Sequence, residues 1–187
     1  SQGDQEPNEM AYMLGLFKTG RIGTVLPDLK IEYVRIANRT YHQADPRNRY
    51  IYRNKLLGHP LGPDADSLSF KARFWPSDGF FAEIEFAYRR KGRGSIDAPW
   101  DEPWLDVVGD YEEPFPTGVV EKATLVAFRA QGYLPFTRYT RRHFFAAVEL
   151  GWGHIRNNGN VEAQTTHPAR VELSLTWFGF TDIDISD

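Results

Sequence analysis

Hydrophobic and polar residues alternate along most of this chain with a period of two, the pattern of strands that present one apolar and one polar face. Seven segments carry it. Met10–Phe17 is the first, and in the second Leu29, Ile31 and Tyr33 alternate with Lys30 and Glu32. The third sets Leu68, Phe70, Ala72 and Phe74 against Ser69, Lys71 and Arg73, and the fourth sets Ala82, Ile84, Phe86 and Tyr88 against Glu83, Glu85 and Arg89. A fifth, less regular, covers 119–131. The sixth carries Phe144, Ala146, Val148, Leu150 and Trp152, and the seventh sets Val171, Leu173, Leu175 and Trp177 against Glu172, Ser174 and Thr176. Helical spacing is nowhere sustained for three turns, so the expected fold is all-β.

The polar positions of neighbouring segments mix signs (Lys30, Glu32, Lys71, Arg73, Glu83, Glu85, Arg89), which predicts ion-pair ladders between strands. An outer-membrane barrel, apolar toward lipid and polar toward its lumen, produces this alternation. The solvated face of a soluble sheet produces it equally. The connections favour the barrel. Lys18–Asp28 and Pro76–Gly79 are short and Gly132–Thr140 is modest, whereas 38–67, 91–117 and 157–169 are longer, so the long connections would share one end. Phe74–Trp75, Phe80–Phe81 and the run Trp177, Phe178, Phe180 stand at the short-turn ends, where an interfacial aromatic girdle belongs.

The prediction is therefore an antiparallel transmembrane β-barrel of about seven to eight strands over residues 9–181. Seven is an odd count, and an unpaired sheet edge is not viable in lipid. Further strands, from residues 1–8, from additional sequence or from another chain, are expected to complete a larger barrel. Residues 1–8 are polar and expected to be disordered or to serve as a partner strand, and 182–187 reads as an acidic tail.

Composition narrows the choices. The 187 residues contain 22 basic and 25 acidic side chains and no cysteine, which excludes disulfides, zinc-thiolate sites and thiol nucleophiles. A charge of -3 and a pI near 6.0 leave no basic footprint for nucleic acid. Mean hydropathy of -0.50 alone would predict a soluble protein; in a barrel it is the average of a lipid-facing stripe with a polar lumen and loops.

The stretch Leu56-Leu-Gly-His-Pro-Leu-Gly-Pro-Asp-Ala-Asp-Ser-Leu68 resembles a motif of the Wzi family of capsule assembly proteins. Asp28–Ile36, Phe74–Asp78 and Tyr88–Gly92 flank it in a similar order and spacing. The resemblance covers about residues 9–180 and corresponds to the carboxyl-terminal part of that family. It implies a piece of a large barrel, of the order of eighteen strands in the family, in the bacterial outer membrane. It also implies a non-enzymatic, lectin-like role, holding capsular polysaccharide through extracellular loops without a cofactor. It supplies no sugar-binding motif to carry over.

Candidate residues follow from the loops themselves. Arg47, Arg49, Arg53 and Lys55 are interleaved with Tyr41, Tyr50 and Tyr52, a surface suited to an acidic polysaccharide by charge and ring stacking and equally to a solvated loop. Between Gly92 and Thr117 stand seven acids and one base, Arg93; within them Trp100 and Trp104 flank Asp101 and Glu102. Indoles pack on sugar rings while carboxylates accept hydroxyls. The same acids suit a divalent cation, and the same indoles suit anchorage of the loop to the rim. Gly58, His59, Pro60, Gly62, Pro63, Asp64 and Asp66 read as a turn-rich structural loop over the barrel mouth rather than a metal site. Glu83 and Glu85 share a strand face at about glycosidase spacing, but Lys71 and Arg73 alongside predict ion pairs instead. His143, His154 and His167 lack ligand spacing, and no Gly-x-Ser-x-Gly elbow occurs. Outer-membrane lipid and missing strands are the other expected partners. The alternatives are a structural subunit of a larger outer-membrane assembly, a soluble lipocalin-like or β-sandwich glycan-binding protein, or an outer-membrane hydrolase.

Overall fold

The computed structural model describes residues 9–21, 23, 26–41, 43, 45, 51–53, 55–77, 79–108, 111–134 and 144–177. Seven long strands form one antiparallel sheet: β1 (Ala11–Thr19), β2 (Leu26–Ile36), β5 (Ala65–Ser77), β6 (Phe80–Lys91), β7 (Glu121–Tyr133), β8 (Phe144–Arg156) and β10 (Ala169–Trp177). Each matches one alternating segment of the sequence. A two-residue strand β9 (Thr165–Thr166) extends the sheet by pairing with β8, making eight strands, and β3 (Ile51–Tyr52) and β4 (Lys55–Leu56) form a separate hairpin. Among the described residues there is no α-helix, only the short 3₁₀ turns Pro103–Asp106 and Asn158–Asn160.

The sheet is a meander in the order β1-β2-β5-β6-β7-β8-β10 and does not close: among the described residues β1 pairs only with β2, and β10 only with β8. The connections alternate as the sequence predicted, with 37–64, 92–120 and 157–168 at one end and the shorter ones at the other.

Register fixes what each face carries, because side chains alternate across a strand. One row of register partners runs Leu16, Ile31, Phe70, Phe86, Val126, Trp152; the next on that face runs Leu29, Ala72, Ile84, Phe128, Leu150, Val171. This face is apolar across all seven strands, and its large side chains are uncovered, from Leu29 at 36% exposed to Leu173 at 75%. The opposite face carries the charges. Arg73, Glu83, Arg129 and Glu149 lie in one row across β5–β8. Arg73 Nη2 meets Glu83 Oε2 at 2.6 Å and Arg129 Nη1 meets Glu83 Oε1 at 2.9 Å. Arg129 Nε then meets Glu149 at 3.0 Å, and Arg170 pairs with Glu149 and Glu172. Glu83 is only 3% exposed although it carries a charge, because three cations cover it: Arg73, Arg129 and Lys71.

The aromatic girdle is divided between the faces. Phe74, Phe80, Phe144 and Trp177 point to the apolar side, but Trp75 and Phe81 turn to the polar side, where the Arg73 guanidinium lies over both rings. Consecutive residues of a strand cannot share a face. Phe178 and Phe180, with the segments 1–8 and 182–187, lie outside the described residues.

Candidate functional site

At the long-loop end the polar side of the sheet is covered by two of the long connections. Val34, Ile36, Ala65, Ala87 and Ala123 are buried there. Two polar side chains organise the loops above them.

The first is Asp64, fully buried with a left-handed backbone, φ 56°. Asp tolerates this conformation better than most side chains. Its carboxylate accepts from Gly94 N–H at 2.8 Å, Thr117 N–H at 3.0 Å and the Thr117 hydroxyl at 2.5 Å. Its own backbone extends the ladder, with Asp64 N–H donating to Ala37 and Gly92 N–H donating to Asp64. Residues 53 apart are thereby joined, and the 37–64 loop is stapled to both ends of the 92–120 loop. Gly92 is required at this junction: a Cβ there would lie 2.0 Å from the Asp64 carboxylate.

The second is Arg39, 5% exposed. Its guanidinium donates to the Asp101 carbonyl at 2.8 Å and the Asp101 carboxylate at 2.9 Å, and lies 3.4 Å from Glu113. The same group lies over the Trp104 ring at 4.7 Å and the Trp100 ring at 5.3 Å. One cation from the first loop thus gathers the acids and indoles of the second. Asn38 reinforces it by donating to Glu113 at 3.0 Å. Between these groups opens a cavity of about 640 Å³, lined by Arg39, Arg93, Ser95, Asp101, Tyr111 and Glu113. Burial pushes the Tyr111 phenol above its ordinary range, and the Glu113 carboxylate adds to the effect. The wall therefore offers hydroxyl and guanidinium donors beside carboxylate acceptors, the set that recognises a polyhydroxylated ligand.

The residues singled out in the sequence fall as follows. Asp101 borders the cavity and is exposed; Glu102 is exposed and accepts from the Trp100 indole at 3.1 Å. Trp104 is buried at 6%, with Arg39 on its face and Trp100 against its edge at 5.9 Å. Arg53 is exposed beside the small β3–β4 hairpin, whose strand β3 contains Tyr52. Arg49 and Tyr50 lie outside the described residues. Gly58 packs against the Tyr41 ring, and the His59 N–H donates to the Tyr41 hydroxyl at 3.1 Å. His59 Nδ1 in turn accepts from Leu61, and the turn Pro60–Pro63 is held by Lys91, which donates to the Pro63 carbonyl at 3.2 Å. Asp66 faces the other way and pairs with Arg90 at 2.5 Å. His59, Asp64 and Asp66 therefore do not converge, and among the described residues no three His, Asp or Glu side chains gather at metal-binding geometry. Glu83 and Glu85 share a face, as expected, and both are engaged by cations.

Arg39, Asn38 and Tyr111 carry no site signal of their own in the sequence, and Glu113 stands there only as one of the seven acids of the second loop. Arg39 sits in Asn38-Arg-Thr40, a glycosylation-like tripeptide, and its signal was only that one arginine precedes a loop rich in unpaired acids. Comparison of the chain with family models, curated proteins and solved structures finds no match in any of the three.

Proposed function

We propose that this chain forms part of the wall of a β-barrel in the bacterial outer membrane and holds surface polysaccharide at its long-loop end without reacting with it, as capsule assembly proteins do. The observation that carries the reading is the uncovered apolar face, seven strands wide, backed by a face of ion pairs. In water such a face is an aggregation liability, whereas lipid covers it. Its height fits. Phe144 to Trp152 spans about 27 Å along β8 at roughly 3.4 Å per residue. At a tilt near 40° that is about 20 Å across the membrane, close to the usual apolar band. The open edges at β1 and β10 call for further strands, from more of the same protein or from another chain.

The polysaccharide reading rests on the cavity between the 37–64 and 92–120 loops, with Arg39, Arg93, Asp101, Tyr111 and Glu113 around it and the Trp100 ring near the Arg39 guanidinium. Two measurements test the two halves. Purified chain should co-float with phosphatidylcholine vesicles and resist carbonate extraction; a monodisperse aqueous monomer would overturn the barrel. Inserted chain should retain acidic capsular polysaccharide on an array, and Asp101→Asn with Arg93→Gln should reduce retention. Uniform failure to retain any glycan, with the sheet still folded, would remove the lectin-like role.

A further inference from the structure

On the apolar side of the sheet, the row of register partners nearest the long loops holds cations at four of its five places. The row runs Arg35, Asp66, Arg90, Lys122, Arg156. Asp66 neutralises Arg90 at 2.5 Å, and Arg35 lies over the Phe115 ring at 3.9 Å. Lys122 and Arg156, on the adjacent strands β7 and β8, are both exposed, and among the described residues neither forms an ion pair. Beside them stands a histidine pair. Arg156 Nε donates to His154 Nε2 at 3.0 Å, and His154 Nδ1 lies 2.9 Å from His167 Nε2. The His154 ring also stacks on Trp152, which is half exposed on the apolar face. Apolar side chains, an indole, two imidazoles and two cations thus succeed one another along one side of β7–β9.

We propose that Lys122, His154, Arg156 and His167 form an outward-facing seat for the phosphate groups of anionic lipid in the leaflet nearest the long loops. The inference rests on the membrane-spanning reading of the sheet. Charge complementarity supports it: two cations without acids, placed where acyl chains give way to headgroups, meet the one abundant anion of that zone. The indole of Trp152 belongs at the same depth, and the imidazoles add hydrogen-bond donors for phosphate oxygens.

The test uses the chain reconstituted in phosphatidylcholine vesicles, with and without phosphatidylglycerol, and reads the relative association of spin-labelled forms of the two lipids. Wild type should prefer the anionic lipid by about five-fold or more, the contribution of one cation near an anionic surface. Lys122→Gln, which breaks no bond of the fold, and Arg156→Gln should each lower the preference, and the double variant should bring it to parity. Lys30→Gln, the same charge change on the opposite face, should leave it intact. Excess inorganic phosphate should leave it intact too; abolition by free phosphate would make this a small-anion site and overturn the lipid seat. Insertion into both vesicles with no preference in wild type would overturn the seat and leave the barrel standing. Failure to insert in either would overturn both.

Discussion

Replacing Asp64 with alanine tests whether one buried carboxylate holds the two longest loops together. The change orphans the Gly94 and Thr117 amides, which now donate to it at 2.8 and 3.0 Å. A buried N–H left without a partner costs about 1–3 kcal/mol. Alanine must also keep the left-handed backbone at φ 56°, which costs it about 1–2 kcal/mol. Water entering the vacated space recovers part of this, so the loop junction loses about 3 kcal/mol. Because the ladder β5–β8 does not pass through Asp64, the loss falls on local opening of the 92–120 loop rather than on the sheet. Chymotrypsin under native conditions reads that opening, since Trp100, Trp104 and Tyr111 lie in the loop. When reclosing outpaces cleavage, the rate follows the open population, and 3 kcal/mol is on the order of a hundredfold. Asp64→Gly separates the two contributions: it relieves the backbone, loses the same hydrogen bonds, and should be milder by roughly tenfold. Cleavage of Asp64→Ala within twofold of wild type would refute the account, as would a glycine variant indistinguishable from wild type.

Glu83→Gln leaves Arg73, Arg129 and Lys71 short of one negative charge and, since these cations stay partly solvated, should destabilise the sheet by about 1.5–3 kcal/mol. Glu172→Gln, in an exposed pair with Arg170, should cost under about 1 kcal/mol; equal midpoints in urea would refute the difference. Phe128→Arg, on the apolar face, should impair vesicle insertion by about 2–4 kcal/mol, whereas Ala127→Arg on the other face should not carry that lipid penalty. Matching insertion yields would contradict the assignment of faces. Arg39→Lys keeps the charge but loses the planar fork and the stack on Trp104, so indole fluorescence should change and cleavage of the 92–120 loop should accelerate. Because the Tyr111 phenol is raised in the folded chain, the loop keeps its full stability below about pH 10. That stability falls as pH rises from there through the folded value, since the unfolded chain gives up its proton first. Tyr111→Phe should flatten the alkaline limb, and an unchanged limb would count against the effect.

All seven long strands were legible because each has one apolar face, and a single sheet imposes the same period on every strand. The charges of the ladder were legible as alternating positions, but their partners were not: the pairing Ser77–Phe80 alone would set Arg73 opposite Ile84, and a bulge between Phe74 and Ser77 brings Glu83 there instead. The short pieces were not, since β3, β4 and β9 have two residues each and no period to read. Nor was the division of the girdle, because Phe74–Trp75 and Phe80–Phe81 advertise aromatics without saying that neighbours must part. The site was legible only in fragments. Asp101 and the two indoles stood out by composition, but the arginine that collects them lies 62 residues earlier, and only the folded loops bring it there. Asp64 looked like a turn residue, which it is; its grip on Thr117 has no local signature at all.

The order of the strands has a consequence for how such a wall is made and altered. Every long strand pairs with the long strand next in sequence, so no pairing waits for a distant part of the chain. Assembly is then a zipper: each hairpin presents a finished edge to the next, and the entropy of closing each connection is met one step at a time. Growth or loss by whole hairpins leaves the remaining register untouched, whereas a single added strand would carry the next long loop to the wrong side. Length in this architecture comes in units of two strands.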